Sequence, residues 1–266
     1  MADKIQIAGL SVEMVRKGSG PALLFLHSGD GVEAAQPAID LLSKSFDVIA
    51  PSHPGFGGTD LPANFSTIDD LAYFYLDLLD ELDLTDVVLC GASFGGWLAM
   101  EMAIKSTARL SRLVLADAVG VKFGSRDTRD IADLFALTPA EIPPLLFHDV
   151  ARFAVDYTKV PEPQLARIAR NREAFTLFSW SPTLYDPKLR QRLHRVDLPT
   201  LVLWGANDRV VNLDYGRALA GTLPSASLEV IPSCGHLPHV EQVATFADHV
   251  VRFAGAATPS RKGIRA

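Results

Sequence analysis

Cysteine is scarce in this sequence, and long apolar runs are missing. Only Cys90 and Cys234 occur among 266 residues, too few for a disulfide framework, so we expect a reduced, cytoplasmic setting. No apolar run approaches the ~18 residues of a membrane-spanning helix. The N-terminal "MADKIQIAGL" shows no basic stretch followed by an apolar core. We therefore expect neither a signal peptide nor a membrane partner.

An excess of positive charge is also missing. Lys and Arg number 25 against 31 Asp and Glu, a net charge of −6, which argues against nucleic acid as a partner. No residue spacing is typical of a metal site, because the pair His236 and His239 has no third ligand nearby. The composition, 48% hydrophobic and 21% charged, is that of an ordinary globular domain. We expect a small-molecule substrate, no metal and no cofactor, and leave the oligomeric state open.

Short apolar runs alternate with segments of helical period, and this alternation predicts the fold class. Two segments at the start, "KIQIAG" and "SVEMVRKG", alternate apolar and polar residues as an antiparallel edge hairpin does. Most later runs are nearly continuous in Val, Leu, Ile or Phe, as in a parallel sheet buried on both faces. The candidate strands are 21–27, 46–51, 86–90, 110–117, 199–205 and 227–232, and the candidate helices are 67–82, 94–106, 212–222 and 239–254. The sequence predicts an α/β fold with a mostly parallel central sheet flanked by helices.

The strand–helix alternation is interrupted between residues 121 and 197. This stretch has no strand-like run, is rich in proline and arginine, and fits several short helices. We predict that 121–197 is a helical insertion over the sheet and that 1–120 and 198–255 form the core. Further flanking helices of the same layer are the alternative. The tail 256–266 is small, basic and without period, so we expect it to be flexible.

A serine lies between two glycines in "VVLCGASFGGWLAM", residues 87–100. The segment "GASFG" matches G-x-S-x-G, a pattern that places serine on a tight, strained turn between a strand and a helix. Gly91 and Gly95 supply the small neighbours that such a turn requires. The turn exposes the hydroxyl of Ser93 and directs the amide of Phe94 to the place where an oxyanion would form.

A serine hydroxyl becomes a nucleophile beside a histidine that removes its proton and a carboxylate that orients the histidine. His236 in "SCGHLPHVEQ" and Asp208 in "LVLWGANDRVV" each follow a predicted strand, where open α/β sheets place their sites. We therefore predict Ser93, Asp208 and His236 as a catalytic triad. Asp117, which also follows a strand, is a rival acid, and His27 is expected to be a structural residue.

These motifs resemble those of the α/β-hydrolase superfamily over nearly all of residues 5–254. Besides "GASFGG", the segments "HPGFGGTD", "LVLWGANDRVV" and "GHLPHVEQ" are typical of that superfamily. The resemblance implies a second oxyanion-hole amide after the third strand. Ser28 replaces the usual glycine of that motif, so Gly29 is the expected donor beside Phe94. The resemblance also implies that the insertion 121–197 is a lid that covers the site and sets substrate choice.

The predicted triad indicates acyl transfer, and we expect an esterase-like hydrolase of carboxylic esters or lactones that forms an acyl-enzyme on Ser93. A resemblance to hydrolases of vinylogous diketones from aromatic degradation makes carbon–carbon bond cleavage the alternative. Members of that family usually carry an asparagine before the serine. In this chain Ala92 directly precedes Ser93 and Gly91 precedes Ala92, so the Asn-Ser pair is absent. They also bind a carboxylate through a lid arginine, a role that Arg190 could fill. A non-catalytic, ligand-binding protein is the third hypothesis.

An apolar pocket beneath the insertion is expected from the aromatic residues near the serine and within 121–197. For any single aromatic residue, packing in the core is the alternative. The predicted substrate contacts are Ser28, Trp97, Phe178, Trp180 and Arg190.

Overall fold

The computed structural model describes residues 3–125 and 127–255. The strands in this part of the chain are β1 (Asp3–Ile7), β2 (Leu10–Gly18), β3 (Ala22–Leu26), β4 (Asp47–Pro51), β5 (Val87–Ala92), β6 (Leu110–Ala116), β7 (Gly120–Val121), β8 (Tyr185–Asp186), β9 (Thr200–Gly205) and β10 (Ala226–Ile231). Eight of them form one sheet in the order β1-β2-β4-β3-β5-β6-β9-β10. The pairs β1–β2 and β2–β4 are antiparallel, and the other neighbours are parallel. This arrangement confirms the mostly parallel sheet with a hairpin at one edge.

Helices cover both faces of the sheet. The α-helices of the described residues are α1 (Gln36–Leu42), α2 (Ile68–Glu81), α3 (Phe94–Lys105), α4 (Pro143–Leu146), α5 (Val150–Phe153), α6 (Glu162–Ser179), α7 (Leu189–Arg192), α8 (Leu213–Thr222), α9 (Pro238–Glu241) and α10 (Val243–Gly255). Among these helices, none combines the length and the apolar character that crossing a bilayer requires.

The central strands are apolar on both faces because each face packs against a helix layer. In β3, Leu24 and Leu26 lie in the layer that contains α2 and α3. Leu23 and Phe25, which alternate with them, lie in the layer that contains α1 and α10. All four side chains are fully buried, and each contributes about 1.5–3 kcal/mol of transfer free energy. The sheet thus separates two cores and fixes the strand ends that carry the site.

Helix α2 shows how local sequence sets an element. The hydroxyl of Thr67 accepts a hydrogen bond from the amide of Asp70, and the carboxylate of Asp70 accepts one from the amide of Thr67 at 2.8 Å, which forms a capping box. Leu71, Tyr75 and Leu78 follow at helical spacing and are buried. The predicted helix and its capping box are confirmed.

Four features of the described residues differ from the sequence-based expectation. The last predicted helix is two helices, α9 and α10, because the chain leaves helical geometry at Gln242. Helix α1 was not predicted. The segment 121–197, predicted to be an insertion, contains an 18-residue helix, α6, rather than short helices alone. It also contains β8, which pairs with β7 in a small second sheet. The tail 256–266 lies outside the described residues.

Candidate active site

Ser93 lies on a sharp turn between β5 and α3. Its backbone φ of 51° and ψ of −113° fall outside the regions that residues with side chains usually adopt, so the turn is strained. A Cβ on Gly91 would lie 2.2 Å from the carbonyl oxygen of Gly95, and a Cβ on Gly95 would lie 2.1 Å from that of Leu26. Close backbone packing is therefore the reason that this turn needs glycine at both positions.

The structure brings together the three residues predicted as a triad. Ser93 Oγ and His236 Nε2 are 2.8 Å apart, and His236 Nδ1 and Asp208 Oδ2 are also 2.8 Å apart. Asp208 Oδ1 accepts hydrogen bonds from the amides of Val210 at 2.7 Å and Val211 at 3.1 Å. His236 Nδ1 thus donates to a carboxylate that is held in place. Nε2 is then available to accept the proton of the serine hydroxyl.

The loop that carries His236 is held by contacts with the segment 121–197. The amide of His236 donates to the carbonyl oxygen of Leu146, at the end of α4, at 2.7 Å. A Cβ on Gly235 would lie 2.3 Å from the same oxygen. The amide of Gly235 donates to the carboxylate of Glu241 at 2.6 Å. The position of His236 therefore depends on α4 as well as on its own loop.

Asp117, the rival acid, lies behind Asp208. It is fully buried, and its Oδ1 accepts a hydrogen bond from the amide of Gly205 at 2.9 Å. Burial, followed by the negative charge of Asp208, raises the pKa of Asp117 well above its usual range. The hydrogen bond of His236 goes to Asp208, so the geometry places Asp208 in the position of the orienting acid.

The two amides expected to form an oxyanion hole lie beside aromatic side chains. Phe94 begins α3 directly after Ser93, so its amide belongs to the first turn, where amides have no partner within the helix. Gly29 follows β3, and a Cβ on it would lie 2.9 Å from the ring of Phe175. The rings of Phe175 and Phe94 have centroids 5.5 Å apart. Apolar surface from α6 therefore lies next to the loop of Gly29.

A pair of buried histidines holds the loop of Gly29. His27 Nδ1 lies 2.6 Å from the carbonyl oxygen of Ser28, and its Nε2 accepts a hydrogen bond from the amide of His53 at 3.0 Å. His53 Nε2 lies 3.0 Å from the carbonyl oxygen of His27, and its Nδ1 lies 2.6 Å from the hydroxyl of Tyr75. Because His27 Nε2 accepts, the His27 ring is neutral with its proton on Nδ1. His53 donates through Nε2, and burial, which lowers its pKa well below the usual value, leaves Nδ1 to accept from the Tyr75 hydroxyl. These contacts agree with the interpretation of His27 as structural.

The residues predicted to contact substrate have different surroundings. Trp97 and Phe178 are buried within the core. Trp180 is 63% exposed. Arg190 is exposed, and its guanidinium donates to the carbonyl oxygen of Phe123 at 3.1 Å and lies over the ring of that residue. These contacts do not support substrate binding by Trp180 or Arg190, since packing against Phe123 accounts for the position of Arg190. Ser28 Oγ donates a hydrogen bond to Oδ2 of Asp30, in the same loop, at 3.2 Å.

Asp30 and Arg172 were missed by the sequence-based prediction. Asp30 lies at the surface of its loop; the protein around its carboxyl raises the pKa of that group, whereas the hydrogen bond from Ser28 and the charge of Arg172 lower it. Arg172 lies on α6 one turn before Phe175 and therefore on the same helix face. That spacing is the signal in the sequence that could have indicated Arg172. Asp30 directly follows Gly29, the expected oxyanion-hole donor.

The described residues contain one cluster of possible metal ligands. Atoms of Asp117, Asp208 and His236 lie within 4.8 Å of one another, but His236 and Asp208 already use theirs in hydrogen bonds. The expectation of no metal and no cofactor stays a prediction. Cys90 and Cys234 are free and buried, and burial raises the pKa of both thiols. They are therefore thiols at neutral pH, as packing residues would be.

The chain is similar in sequence and in fold to known hydrolases. The chain is 31% identical over 270 residues to a 2-hydroxymuconate semialdehyde hydrolase of Pseudomonas sp. (strain CF600), with 96% of this chain and 94% of that protein covered. It is 27% identical over 244 residues to a poly(3-hydroxyalkanoate) depolymerase of Ectopseudomonas oleovorans, with 88% and 83% covered. A crystal structure of the meta-cleavage product hydrolase CumD of Pseudomonas fluorescens IP01 is similar with a TM-score of 0.78 at 25% identity, with 97% and 99% covered. The model of the alpha/beta hydrolase family matches residues 23–249, and the chain therefore belongs to that family.

Proposed function

We propose that this protein is a serine hydrolase in which Ser93 attacks a carbonyl carbon of a small organic substrate. The observation that carries this proposal is the hydrogen-bonded chain from Ser93 Oγ through His236 to Asp208, with 2.8 Å at each step. Nucleophile, base and orienting acid are all within the distances at which such groups act together. Ser93 is 7% exposed, so the nucleophile is enclosed but not sealed.

The proposed reaction has two halves. In the first, His236 takes the proton of Ser93 while Oγ bonds to the carbonyl carbon, and the amides of Phe94 and Gly29 stabilise the oxyanion. The leaving group departs with that proton and leaves an acyl-enzyme. In the second, His236 deprotonates a water that attacks the acyl carbon, and the carboxylic acid is released as Ser93 regains its proton. The insertion 121–197 acts in this proposal as a lid over the acyl pocket.

Carbon–carbon bond hydrolysis is the first candidate for the bond that is cleaved. The similarity to the 2-hydroxymuconate semialdehyde hydrolase and to CumD supports it, because each match covers more than nine tenths of both chains. In such a reaction the leaving group is a carbanion, so the substrate must delocalise the charge through a conjugated dienolate. A conjugated keto acid of the kind produced by ring fission meets that requirement.

Arg172 is the candidate partner for the carboxylate of such a keto acid. It is close enough to Asp30 for their charges to interact, and Asp30 directly follows Gly29 in the loop after β3. The guanidinium of Arg172 donates to the carbonyl oxygen of Leu134 at 3.3 Å, a contact that leaves most of its five donors available. Arg172 is exposed, as Arg190 is, but it lies one turn from Phe175, whose ring lies beside Gly29, and for that reason we prefer Arg172 to Arg190.

Ester hydrolysis is the second candidate, and two observations favour it. Ala92 precedes Ser93, so the asparagine typical of the carbon–carbon hydrolases is missing. The relative named as a poly(3-hydroxyalkanoate) depolymerase also matches 88% of this chain. Ester hydrolysis needs no carboxylate partner in the pocket, because an alkoxide leaves once His236 protonates it.

The function is tested with both substrate classes and with a label for the serine. The parent protein and Ser93→Ala are assayed with 2-hydroxymuconate semialdehyde, with 2-hydroxy-6-oxohepta-2,4-dienoate and with short-chain p-nitrophenyl esters. A fluorophosphonate, with mass spectrometry of the labelled peptide, reports the nucleophile. We expect a label on Ser93 and at least a ~10³-fold loss of turnover in Ser93→Ala. A parent protein with neither turnover nor label would overturn the proposal.

The role of Arg172 is tested by Arg172→Gln, with Arg190→Gln as the matched control. We expect Arg172→Gln to raise KM for the dienoates about 10-fold or more, because a charged hydrogen bond to the substrate is lost, and to leave KM for neutral esters unchanged. Arg190→Gln should alter neither value. Equal effects of Arg172→Gln on the dienoates and the esters would contradict carboxylate binding by Arg172.

A further inference from the structure

Asp117 is a buried carboxyl group for which the proposed reaction has no use. It follows β6 with a backbone φ of 44°, a left-handed conformation that residues other than glycine rarely adopt. Its side chain is fully buried. Oδ1 accepts from the amide of Gly205 at 2.9 Å, whereas Oδ2 has no hydrogen-bond partner among the described residues. A buried, unpaired oxygen is costly, so its position calls for an explanation.

The neighbouring carboxylate of Asp208 explains the position of this unpaired oxygen. Atoms of Asp117, Asp208 and His236 lie within 4.8 Å of one another, and two carboxylates this close inside a protein do not both ionise. Asp208 accepts three hydrogen bonds, from His236 and from two backbone amides, whereas Asp117 accepts one. Hydrogen bonds to a carboxylate stabilise its charged form, and Asp117 has fewer of them than Asp208. Asp117 therefore carries the proton, and its direction of pKa shift agrees with this assignment.

We propose that Asp117 is a positioning residue of the triad, a neutral carboxylic acid that donates its proton from Oδ2 to Asp208 and so holds that carboxylate toward His236. This hydrogen bond gives the unpaired oxygen a partner. Asp208 is then fixed from two sides, by Asp117 and by the amides of Val210 and Val211. The proposal rests on the function proposed above, because it assigns Asp117 an effect on the nucleophile through Asp208 and His236.

The matched variants are Asp117→Asn and Asp117→Ala. Asparagine is neutral at every pH, and it can accept from the Gly205 amide while its NH₂ group donates to Asp208. Alanine keeps neither contact. If Asp117 acts as a neutral donor, Asn replaces it and Ala does not. If Asp117 acts as a charge or as a second orienting acid, both variants fail.

Three readouts decide between these outcomes. The first is the rate at which a fluorophosphonate labels Ser93, which needs no knowledge of the natural substrate. The second is kcat and KM with any substrate that the parent turns over. The third is the low-field proton resonance of His236 Nδ1, which reports its hydrogen bond to Asp208. Circular dichroism and thermal unfolding show that each variant is folded.

We expect Asp117→Asn to stay within about threefold of the parent labelling rate and to keep the low-field resonance. Asp117→Ala should slow labelling about 10- to 100-fold, the loss expected for a hydrogen bond to a charged group, with KM unchanged and the resonance shifted upfield. Parent-like labelling of Asp117→Ala would overturn the inference. Slow labelling of folded Asp117→Asn would also overturn it, and that variant decides even where Asp117→Ala does not fold.

The two proposals fail in different ways. A parent protein that is not labelled at Ser93 contradicts the proposed function itself. A parent that is labelled at Ser93, together with an Ala variant of unchanged rate, contradicts only the role of Asp117.

Discussion

At the scale of single residues, three histidines besides His236 are completely buried. His27 and His53 form the neutral pair described above, in which each ring nitrogen has a partner. His239 packs between Phe25 and Phe246, with ring centroids 6.0 and 6.1 Å away, and neither of its nitrogens has a partner among the described residues. Burial lowers the pKa of His27 to about 4 and that of His239 to about 3, and it holds the pKa of His53 well below its usual value.

These lowered pKa values link stability to pH. Below about pH 6.5 the unfolded chain binds protons on these histidines, whereas the folded protein keeps His27 neutral down to about pH 4. The free energy of unfolding therefore falls as the pH falls from 6.5 toward 4. Each such histidine contributes up to ~1.4 kcal/mol per pH unit to that slope.

Replacing His239 with leucine should change both the stability and its pH dependence. The unpartnered ring nitrogens give way to apolar surface between Phe25 and Phe246, so we expect the free energy of unfolding at pH 7 to rise by about 1–2 kcal/mol. The slope between pH 5 and 6 should flatten by up to ~1.4 kcal/mol per unit. Urea unfolding at pH 5, 6 and 7 measures both, with exposed His194→Gln as the control. An unchanged slope in His239→Leu would contradict a neutral, buried His239.

At the scale of elements, periodicity predicts what local sequence determines. The buried strands, the hairpin and α2 follow from hydrophobic patterns and a capping box, and the order of strand ends brings Ser93, Asp208 and His236 to one edge of the sheet. The sequence patterns did not predict the elements that depend on contacts between distant residues. They also did not predict helix α1, which is only seven residues long. The break between α9 and α10 follows Glu241, whose carboxylate is bound to amides elsewhere in the chain. Asp30 and Arg172 lie far apart in sequence, so no local pattern links them.

Glu241 illustrates such a distant contact. Its carboxylate accepts hydrogen bonds from the amides of Gly235 at 2.6 Å, Asp149 at 2.6 Å and His148 at 3.1 Å. One side chain thus joins α9, the loop of His236 and the start of α5. Because the group is buried, its removal leaves three amides without an acceptor.

We expect Glu241→Ala to lower the free energy of unfolding by about 2–4 kcal/mol and to slow the labelling of Ser93 by a fluorophosphonate, since the loop of His236 loses its anchor. Glu241→Gln should lie between the parent and Glu241→Ala, because it keeps an oxygen acceptor but adds a competing donor. Urea unfolding and labelling kinetics measure the two effects, and exposed Glu229→Ala on β10 is the control. Parent-like labelling in folded Glu241→Ala would show that His236 is held without this residue.

At the scale of the whole molecule, α6 contacts the core through polar groups as well as through buried apolar side chains such as Phe178. Arg167 forms ion pairs with Glu13 on β2 and with Glu33. Asn171 accepts a hydrogen bond from the amide of Gly57 at 2.8 Å and donates to the carbonyl oxygen of Asp30 at 3.0 Å. The same helix carries Arg172 and Phe175. The Arg167 side chain is 31% exposed, so solvent screens its ion pairs and they add little to global stability. We therefore expect that α6 can be loosened without unfolding the sheet.

Arg167→Ala should therefore separate access to the site from the stability of the fold. We expect the free energy of unfolding to change by about 1 kcal/mol or less, while amide hydrogen exchange across 162–179 becomes several-fold faster and KM rises, because Phe175 no longer covers Gly29 as tightly. Arg217→Ala, which removes an exposed ion pair with Asp214 on α8, is the matched control and should alter neither quantity. In both variants we expect unchanged amide hydrogen exchange in β5 and β9. Faster exchange in these strands of Arg167→Ala would mean that the core had also been destabilised. Unchanged exchange in α6 would show that Arg167 does not hold the insertion, and the anchoring would then belong to Asn171 and to the aromatic contacts of Phe175.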